Sequence, residues 1–377
     1  MQRELLEQKC ATAVKDWLNT IRRYWLGLLL FMIGLGVSLV GLPVRGAQIQ
    51  EGTIPLTPNV YLPLISRAPT PTPILPSWQQ LGGAGLKLSS LAFDQSVTNN
   101  PQLYVGDLRE ANSGGGIYRG NVATTCRYNQ SFAPVNHNVR VVDLAFNGTQ
   151  GLVGTFGDKV LYYQRLTDSW QFTPSAMNAN VYGVAFTATN AFAGTDGGVF
   201  TSADSGVTWQ AIGGPPNINT IQPHDNSLWI GADMTGIHRM LLTSHQFLPQ
   251  NNSGLTGQAL DIWSFLFNGD TVFVATSDGV YQGTTAKVGA GWTPFGRQGA
   301  LVKTLELIDN VLYAGETSNG VWQKPLTTNA DWTRVVGGVN WQADFTVLDL
   351  AYQPTLCGGG LFAATDDGLW VYGTHGQ

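Results

Sequence analysis

The chain has 377 residues, only 12% of them charged, and a formal net charge of −5. The excess of acidic residues lies after residue 76 and no basic stripe occurs there, which argues against a nucleic-acid partner. The 46 glycines, 12 tryptophans, 12 tyrosines and 16 phenylalanines indicate a fold with many turns and aromatic contacts.

The chain begins with a leader of mixed charge, residues 1–23, which precedes an apolar segment. Residues 24–42 contain no charged side chain, and about 20 apolar residues are enough for a helix to cross a bilayer. We therefore predict a transmembrane signal anchor or a cleaved signal peptide at 24–44. Basic residues before it favour an N-terminus in the cytoplasm, with the remainder exported. Arg45 stands where a cleavage site would need small residues, so we favour the membrane anchor over a secreted product.

Residues 45–76 form a predicted linker that is rich in proline. Pro69-Thr70-Pro71-Thr72-Pro73 should be extended and stiff, because proline supports neither a helix nor a central strand. Together with the preceding Asn59-Val60-Tyr61-Leu62-Pro63-Leu64-Ile65, this tract resembles the stalks of exported surface proteins in some filamentous bacteria. The resemblance implies a spacer that holds the following domain away from a membrane.

The remaining segment, residues 77–377, repeats a pattern of short strands. In each unit an apolar strand is followed by a second strand that ends in a small residue, at Gly106, Gly154, Gly194, Gly231, Ala275, Gly315 and Ala364. Units of this size cannot bury both faces alone, which is the signature of a β-propeller. We predict an all-β fold of seven four-stranded blades.

The seventh unit ends without a fourth strand, and a copy of that strand stands before the first unit. The sequence SWQQLGG at 77–83 matches TWQAIGG at 208–214, which is the fourth strand of the third unit. The N-terminal strand is therefore predicted to complete the last blade and close the ring, which leaves no open sheet edge.

The third unit contains Ser202, Asp204, Gly206 and Trp209 in the spacing S-x-D-x-G-x-x-W. This octapeptide resembles the Asp-box of sialidase-like, BNR-repeat propellers. The resemblance implies a structural turn in which Asp caps a hairpin, Gly makes the turn and Trp packs between blades. The repeats are also similar to those of propellers that assist photosystem assembly. The arginine cluster that the sialidase family implies has no counterpart, because the arginines are scattered along the chain.

The hairpin between the second and third strands carries an acid in every unit, at Asp107, Asp158, Asp196, Asp233, Asp278, Glu316 and Asp366. Such hairpins lie on one face of a propeller, so the acids either form a ring that binds a cation or a basic partner, or serve only as turn residues. Tyr182, Trp263 and Trp341 are candidate aromatic platforms on a binding face, with packing between blades as the alternative.

Asp143 and Asp349 occupy equivalent positions in the innermost strands of the second and seventh units. Two carboxylates near a central channel could act as acid and base in glycoside chemistry, or could hydrogen-bond locally where strands crowd the axis. These two residues are the only catalytic candidates that the sequence offers.

Cys126 and Cys357 are predicted in turns on the same face of the first and last blades. A disulfide between them outside the cell is one hypothesis, and two free thiols are the other. No pair of histidines has the spacing of metal ligands, and the sequence contains no phosphate loop or nucleophile motif. We therefore expect no metal and no cofactor. We expect a monomeric propeller head that is a non-catalytic recognition or assembly module for an extracytoplasmic protein or glycan. The alternative is a carbohydrate-active enzyme, a glycoside hydrolase.

Overall fold

The computed structural model describes residues 76–373 apart from 97–101, 110–112, 114, 122–132, 138, 158, 175–176, 178, 286–290, 339 and 356–358. The leader, the predicted membrane segment, almost the whole linker, Asp158 and both candidate disulfide cysteines lie outside the described residues. Within the described ranges, no helix has the length and apolar character needed to span a membrane.

The described residues form 27 β-strands, with only short 3-10 helices at Arg165–Thr167 and Gly257–Leu260. The first thirteen strands are β1 Ser77–Gly82, β2 Leu88–Asp94, β3 Gln102–Asp107, β4 Gly116–Asn121, β5 Ala133–His137, β6 Arg140–Asn147, β7 Gln150–Phe156, β8 Val160–Gln164, β9 Ser169–Phe172, β10 Val181–Phe186, β11 Ala191–Thr195, β12 Gly198–Ser202 and β13 Gln210–Gly213. The others are β14 Ile218–His224, β15 Ser227–Ala232, β16 Gly236–Leu241, β17 Ile262–Asn268, β18 Thr271–Thr276, β19 Gly279–Thr284, β20 Thr293–Gly296, β21 Val302–Ile308, β22 Val311–Glu316, β23 Gly320–Pro325, β24 Thr333–Arg334, β25 Val347–Gln353, β26 Gly360–Thr365 and β27 Gly368–Gly373.

These strands form seven antiparallel sheets, which confirms the seven-bladed propeller. Blades 1 to 6 begin at β2, β6, β10, β14, β17 and β21, and blade 7 contains β25, β26, β27 and β1. Ser77 pairs with Gly373 and Trp78 with Tyr372, so the N-terminal strand completes the last blade as predicted. The first strands of successive blades contact one another in a ring, from β2 through β25 and back to β2.

Blade 4 differs from the other six blades, which have four strands each. Its sheet contains only β14, β15 and β16, and the expected fourth strand is reduced to a single bridge between Met240 and Phe247. His245 just before the bridge has a positive φ of 54°, and Pro249 just after it cannot donate a backbone hydrogen bond. The outer edge of blade 4 is therefore covered by an irregular loop.

The small residue that ends each second strand is explained by packing between blades. A Cβ atom built on Gly194 would come within 2.6 Å of Ile218 in the next blade, and one on Gly231 would come within 2.6 Å of Ile262. The apolar residue that opens each innermost strand fills this space, and Val181, Ile218 and Ile262 are fully buried. Close contact between neighbouring blades thus sets the period that is visible in the sequence.

The turn at Ser202–Trp209 is held by its own side chains. Ser202 Oγ donates to Asp204 Oδ1 at 2.7 Å, and Asp204 accepts the Thr208 backbone N–H at 2.8 Å. The Trp209 indole donates to the Gly206 carbonyl oxygen at 2.9 Å and packs against a buried cluster shared by blades 2 and 3. Burial alone would raise the pKa of Asp204, but these hydrogen bonds outweigh it and lower that pKa. These contacts stabilise the turn, and the assignment of the octapeptide to an Asp-box stays a prediction.

Candidate functional site

The innermost strands surround an axial cavity of about 250 Å³. Each of these strands has a register irregularity near its start, for example between Val141 and Asp143 and between Val347 and Asp349. The residues at this irregularity form two rings. The outer ring, nearer the hairpins between second and third strands, is Ser89, Val142, Tyr182, Asn219, Trp263, Lys303 and Leu348. The inner ring is Ser90, Asp143, Gly183, Thr220, Ser264, Thr304 and Asp349. The cavity is lined by the whole outer ring, by the inner ring except Gly183, and by Leu108.

Asp143 uses both carboxylate oxygens to join three blades. Its Oδ2 accepts the Val184 backbone N–H of blade 3 at 2.8 Å. Its Oδ1 accepts the Leu144 N–H at 2.9 Å and the Ser90 hydroxyl of blade 1 at 3.2 Å. The carboxylate therefore bonds the free edge of an innermost strand, which has no partner strand on the axial side.

Asp349 makes the corresponding contacts on the other side of blade 1. Its Oδ2 accepts the Leu91 backbone N–H at 2.9 Å, and its Oδ1 accepts the Leu350 N–H at 2.9 Å and the Thr304 hydroxyl at 3.3 Å. Ser90 and Thr304 in turn accept the N–H groups of Leu144 and Leu350. The inner ring thus bonds each of these blades to the next.

Both inner-ring carboxyl groups are shifted towards the neutral form. Burial raises the pKa of Asp143 to about 6 although three hydrogen bonds favour its charged form. Burial raises the pKa of Asp349 to about 7, and the charge of Asp143 adds to this increase. The two groups line one cavity, and the charge of Asp143 affects the pKa of Asp349, which agrees with the acid and base hypothesis. The hydrogen bonds of both carboxyl groups, however, agree with the alternative, in which they bond locally to the strands around the axis.

Lys303 and Trp263 form the most unusual contact of the outer ring. The Lys303 Nζ lies 2.7 Å from the centroid of the Trp263 ring, so the lysine covers one face of the predicted aromatic platform. The Trp263 indole donates to Ser277 Oγ at 2.9 Å. Ser277 and Asn219 both donate to the carboxylate of Asp261, which therefore anchors this side of the cavity.

Burial lowers the pKa of Lys303 to about 7, so near neutral pH the amine should be about half unprotonated. Competitive acetylation with acetic anhydride, followed by mass spectrometry of the peptide that contains Lys303, should give a labelling rate with a midpoint near pH 7. The same peptide in guanidinium chloride, where the cavity is lost, should show the ordinary lysine midpoint near pH 10.4. A native midpoint above pH 9 would contradict this account of the cavity.

The hairpin acids that the structure describes are bonded within or beside their own turns. Asp107 pairs with Arg109 at 2.7 Å and Glu316 with Arg297 at 2.5 Å, and both acids are fully buried. Asp196, Asp278 and Asp366 accept hydrogen bonds from Asn180, Gly299 and Thr346 respectively. Asp233 is the exposed member of this set, and its pKa is raised by partial loss of solvent and by the charge and hydrogen bond of the nearby Asp261. A shared acidic binding ring stays a prediction.

The three candidate aromatic residues do not converge. Tyr182 and Trp263 both line the axial cavity. Trp341 stacks on Trp78 with ring centroids 4.0 Å apart and also contacts Phe345, next to the strand that closes the ring. Packing accounts for Trp341, whereas Tyr182 and Trp263 remain candidates for ligand binding.

Sequence reasoning missed two cavity residues, Lys303 and Asn219, and also Asp261, which accepts a hydrogen bond from Asn219. The available signal was positional, because Lys303 and Asn219 stand one residue before the inner-ring positions at which Asp143 and Asp349 were noticed. Within the described residues, no group of three His, Cys, Asp or Glu side chains has a geometry that could hold a metal ion.

No known family profile and no curated protein matches the chain. Among solved structures, YCF48 from Cyanidioschyzon merolae is 13% identical, with a TM-score of 0.59 over 78% of this chain and 98% of that chain. The extracellular domain of the putative hybrid two component system BT4673 from B. thetaiotaomicron is 16% identical, with a TM-score of 0.59 over 78% of this chain but only 39% of that chain. The computationally designed Ika8 protein is 14% identical, with a TM-score of 0.54 over 78% and 98% of the two chains. At these identities the likeness is one of fold.

Proposed function

We propose that this propeller is a non-catalytic recognition module that binds a protein or glycan at the mouth of the axial cavity. The observation that carries this proposal is the bonding of Asp143 and Asp349, whose oxygens accept backbone N–H groups of neighbouring blades. A general acid or base must exchange its proton with a substrate within hydrogen-bond reach. Carboxylates already engaged with the strand edges are poorly placed to do so.

The proposed binding surface is the outer ring. Tyr182 offers a half-buried phenol, and the half-buried Trp263 and Asn219 line the same cavity. Lys303 adds an amine that changes charge near neutral pH. Pockets with apolar walls and a few convergent polar groups are the usual sites of ligand recognition, and this cavity has room for one side chain or one sugar residue of a larger ligand.

We further propose that the module works outside the cytoplasm. The apolar segment at 24–44 and the proline-rich linker at 45–76 support export and display on a membrane stalk, or secretion if the segment is cleaved. The fold is shared with a domain described as extracellular, which agrees with this placement.

The alternative function is that of a glycoside hydrolase. It is favoured by one observation, the raised pKa values of about 6 for Asp143 and about 7 for Asp349 at the wall of one cavity. A carboxyl group that stays protonated near neutral pH could serve as a general acid.

The two functions are separated by a glycan array and a polysaccharide-hydrolysis screen on the full chain, with a photo-crosslinking residue placed at Tyr182 to capture a protein ligand in the source cells. We expect glycan binding or a specific crosslink from position 182, without release of sugar products. Tyr182→Ala and Lys303→Met should each weaken binding at least about tenfold if they contact the ligand. Phe172→Ala, at a side chain 44% exposed and away from the cavity, is the control.

Product release that is lost in Asp143→Asn or Asp349→Asn, in protein that remains folded, would overturn the module and establish the hydrolase. A crosslink that forms equally well from position 172, or binding that depends equally on Phe172, would contradict the axial mouth as the binding surface.

A further inference from the structure

A second cavity lies away from the axis, where the outer edges of blades 4 and 5 meet. It has a volume of about 110 Å³, and it lies beside the loop that replaces the missing fourth strand of blade 4. Its inner wall consists of Trp229, Ile237 and Trp292, all of which are buried. Gln250 and Thr284 at its rim are exposed, so the cavity is open to solvent.

Two residues that line this cavity each have a buried hydrogen-bond donor without an acceptor in the described structure, Arg239 at Nε and Trp229 at Nε1. The Arg239 guanidinium lies over the Trp229 ring, with Cζ 4.4 Å from the ring centroid. Arg239 Nη2 donates a long hydrogen bond to Ser227 Oγ at 3.3 Å. A buried donor without an acceptor costs free energy, so an acceptor beside these two side chains, either a water molecule or a ligand, would stabilise the protein.

The charge of Arg239 is also uncompensated. Three other arginines are ion-paired, Arg109 with Asp107, Arg119 with Asp168 and Arg297 with Glu316. For Arg239, no carboxylate within the described ranges lies at ion-pair distance, and only the more distant charge of Asp225 opposes the effect of burial on its pKa. Arginine keeps its positive charge in proteins, so a cation faces this cavity without a counter-ion from the described chain.

We infer that this cavity binds a small organic carboxylate with a flat apolar or aromatic part. The carboxylate would accept hydrogen bonds from Arg239 and from the Trp229 indole, and a guanidinium fork matches the two oxygens of a carboxylate. The apolar part would lie against Trp292 and Ile237. A cavity of about 150 Å³ is known to hold benzene, so this cavity of about 110 Å³ holds only part of an aromatic ring or a short apolar chain, and the rest of the ligand would lie at the exposed rim.

The test uses the full-length chain labelled with ¹⁵N in tryptophan and titrated with benzoate, benzamide and sulfate. The protein has 12 tryptophans, and the indole signal of Trp229 is identified by its loss in Trp229→Phe. Benzoate should move this signal downfield and saturate, because the indole N–H gains an acceptor. Benzamide, which has the same shape without the charge, should bind about tenfold more weakly or worse.

Variants separate the charge from the shape of the cavity. Arg239→Gln should reduce benzoate affinity at least about tenfold, whereas Arg119→Gln, which removes an ion-paired surface arginine, should leave it unchanged. Thr284→Phe changes only an exposed rim residue and should block entry even if Arg239→Gln proves unstable. Equal binding of benzoate and benzamide, undiminished binding in Arg239→Gln, or no shift of the Trp229 signal would each overturn the inference. Binding of sulfate as tight as that of benzoate would overturn the assignment to organic carboxylates.

Discussion

Trp78→Ala is expected to lower the free energy of unfolding by about 3–5 kcal/mol, the largest effect of any single substitution considered for this chain. Trp78 is 1% exposed, and its ring stacks on Trp341 at a centroid distance of 4.0 Å and contacts Tyr372. It also lies on the only strand that joins the two ends of the propeller sequence. The substitution removes a large buried side chain and weakens the closure of blade 7 at the same position.

Chemical denaturation monitored by circular dichroism measures this effect, with Trp209→Ala as the matched control. Trp209 stands at the equivalent sequence position of blade 3 but is only partly buried, and its blade is continuous in sequence. Trp209→Ala should therefore lower the free energy of unfolding by less than Trp78→Ala does. Deletion of residues 77–83 should lower it by more than either substitution. Equal losses for the two tryptophans would mean that ring closure contributes little to stability.

The architecture was predictable because the same packing requirement recurs in every blade. Gly194 and Gly231 must be small to admit Ile218 and Ile262 from the next blade, and this spacing is visible as a period in the sequence. The closing strand was predictable for a related reason, since its Trp-Gln-x-x-Gly-Gly pattern matches a fourth strand elsewhere in the chain. The fourth strand predicted for blade 4 is not formed among the described residues, where Phe247 makes only a single bridge with Met240.

The candidate sites were less predictable because they depend on which residues from different blades meet. The sequence marks Asp143 and Asp349 as unusual but does not indicate that their oxygens bond Val184 and Leu91. Lys303 looks like an ordinary strand residue until the topology places it over Trp263. Arg239 carries no local signal, because the fold determines whether a carboxylate comes close enough to form an ion pair with it.

Asp143→Asn and Asp349→Asn are each expected to destabilise the propeller by about 1–3 kcal/mol at pH 5, the cost of leaving one backbone N–H without an acceptor. An Asn side chain has one acceptor oxygen where the carboxyl group has two. In Asp349→Asn, the amide nitrogen would face either the Leu91 or the Leu350 N–H, both of which the wild type satisfies. Leu350 retains a second acceptor in Thr304, so Leu91 is the group expected to lose its hydrogen bond.

The pH dependence of these variants distinguishes a bonded carboxyl group from an ordinary acid. The folded pKa of about 6 for Asp143 and about 7 for Asp349 lies above the ordinary value of 3.8. The folded protein therefore holds more protons than the unfolded chain between about pH 4 and pH 7, and the stability that these groups contribute is lost as pH rises through that window. Each Asn variant lacks one of these protons and therefore does not lose this part of the stability as pH rises. The difference in free energy of unfolding between wild type and variant should shrink from pH 4.5 to pH 7.5.

Urea denaturation at four pH values across this range measures the difference in stability from wild type, and Asp331→Asn is the control. Asp331 is exposed, so this substitution should change the free energy of unfolding by a similar small amount at all four pH values. Parallel curves for Asp143→Asn and Asp349→Asn as well would contradict the raised pKa values, and with them the observation that favours a hydrolase. A shrinking deficit without any sugar release would leave the two carboxyl groups as bonds between blades, which is the role that the recognition module requires of them.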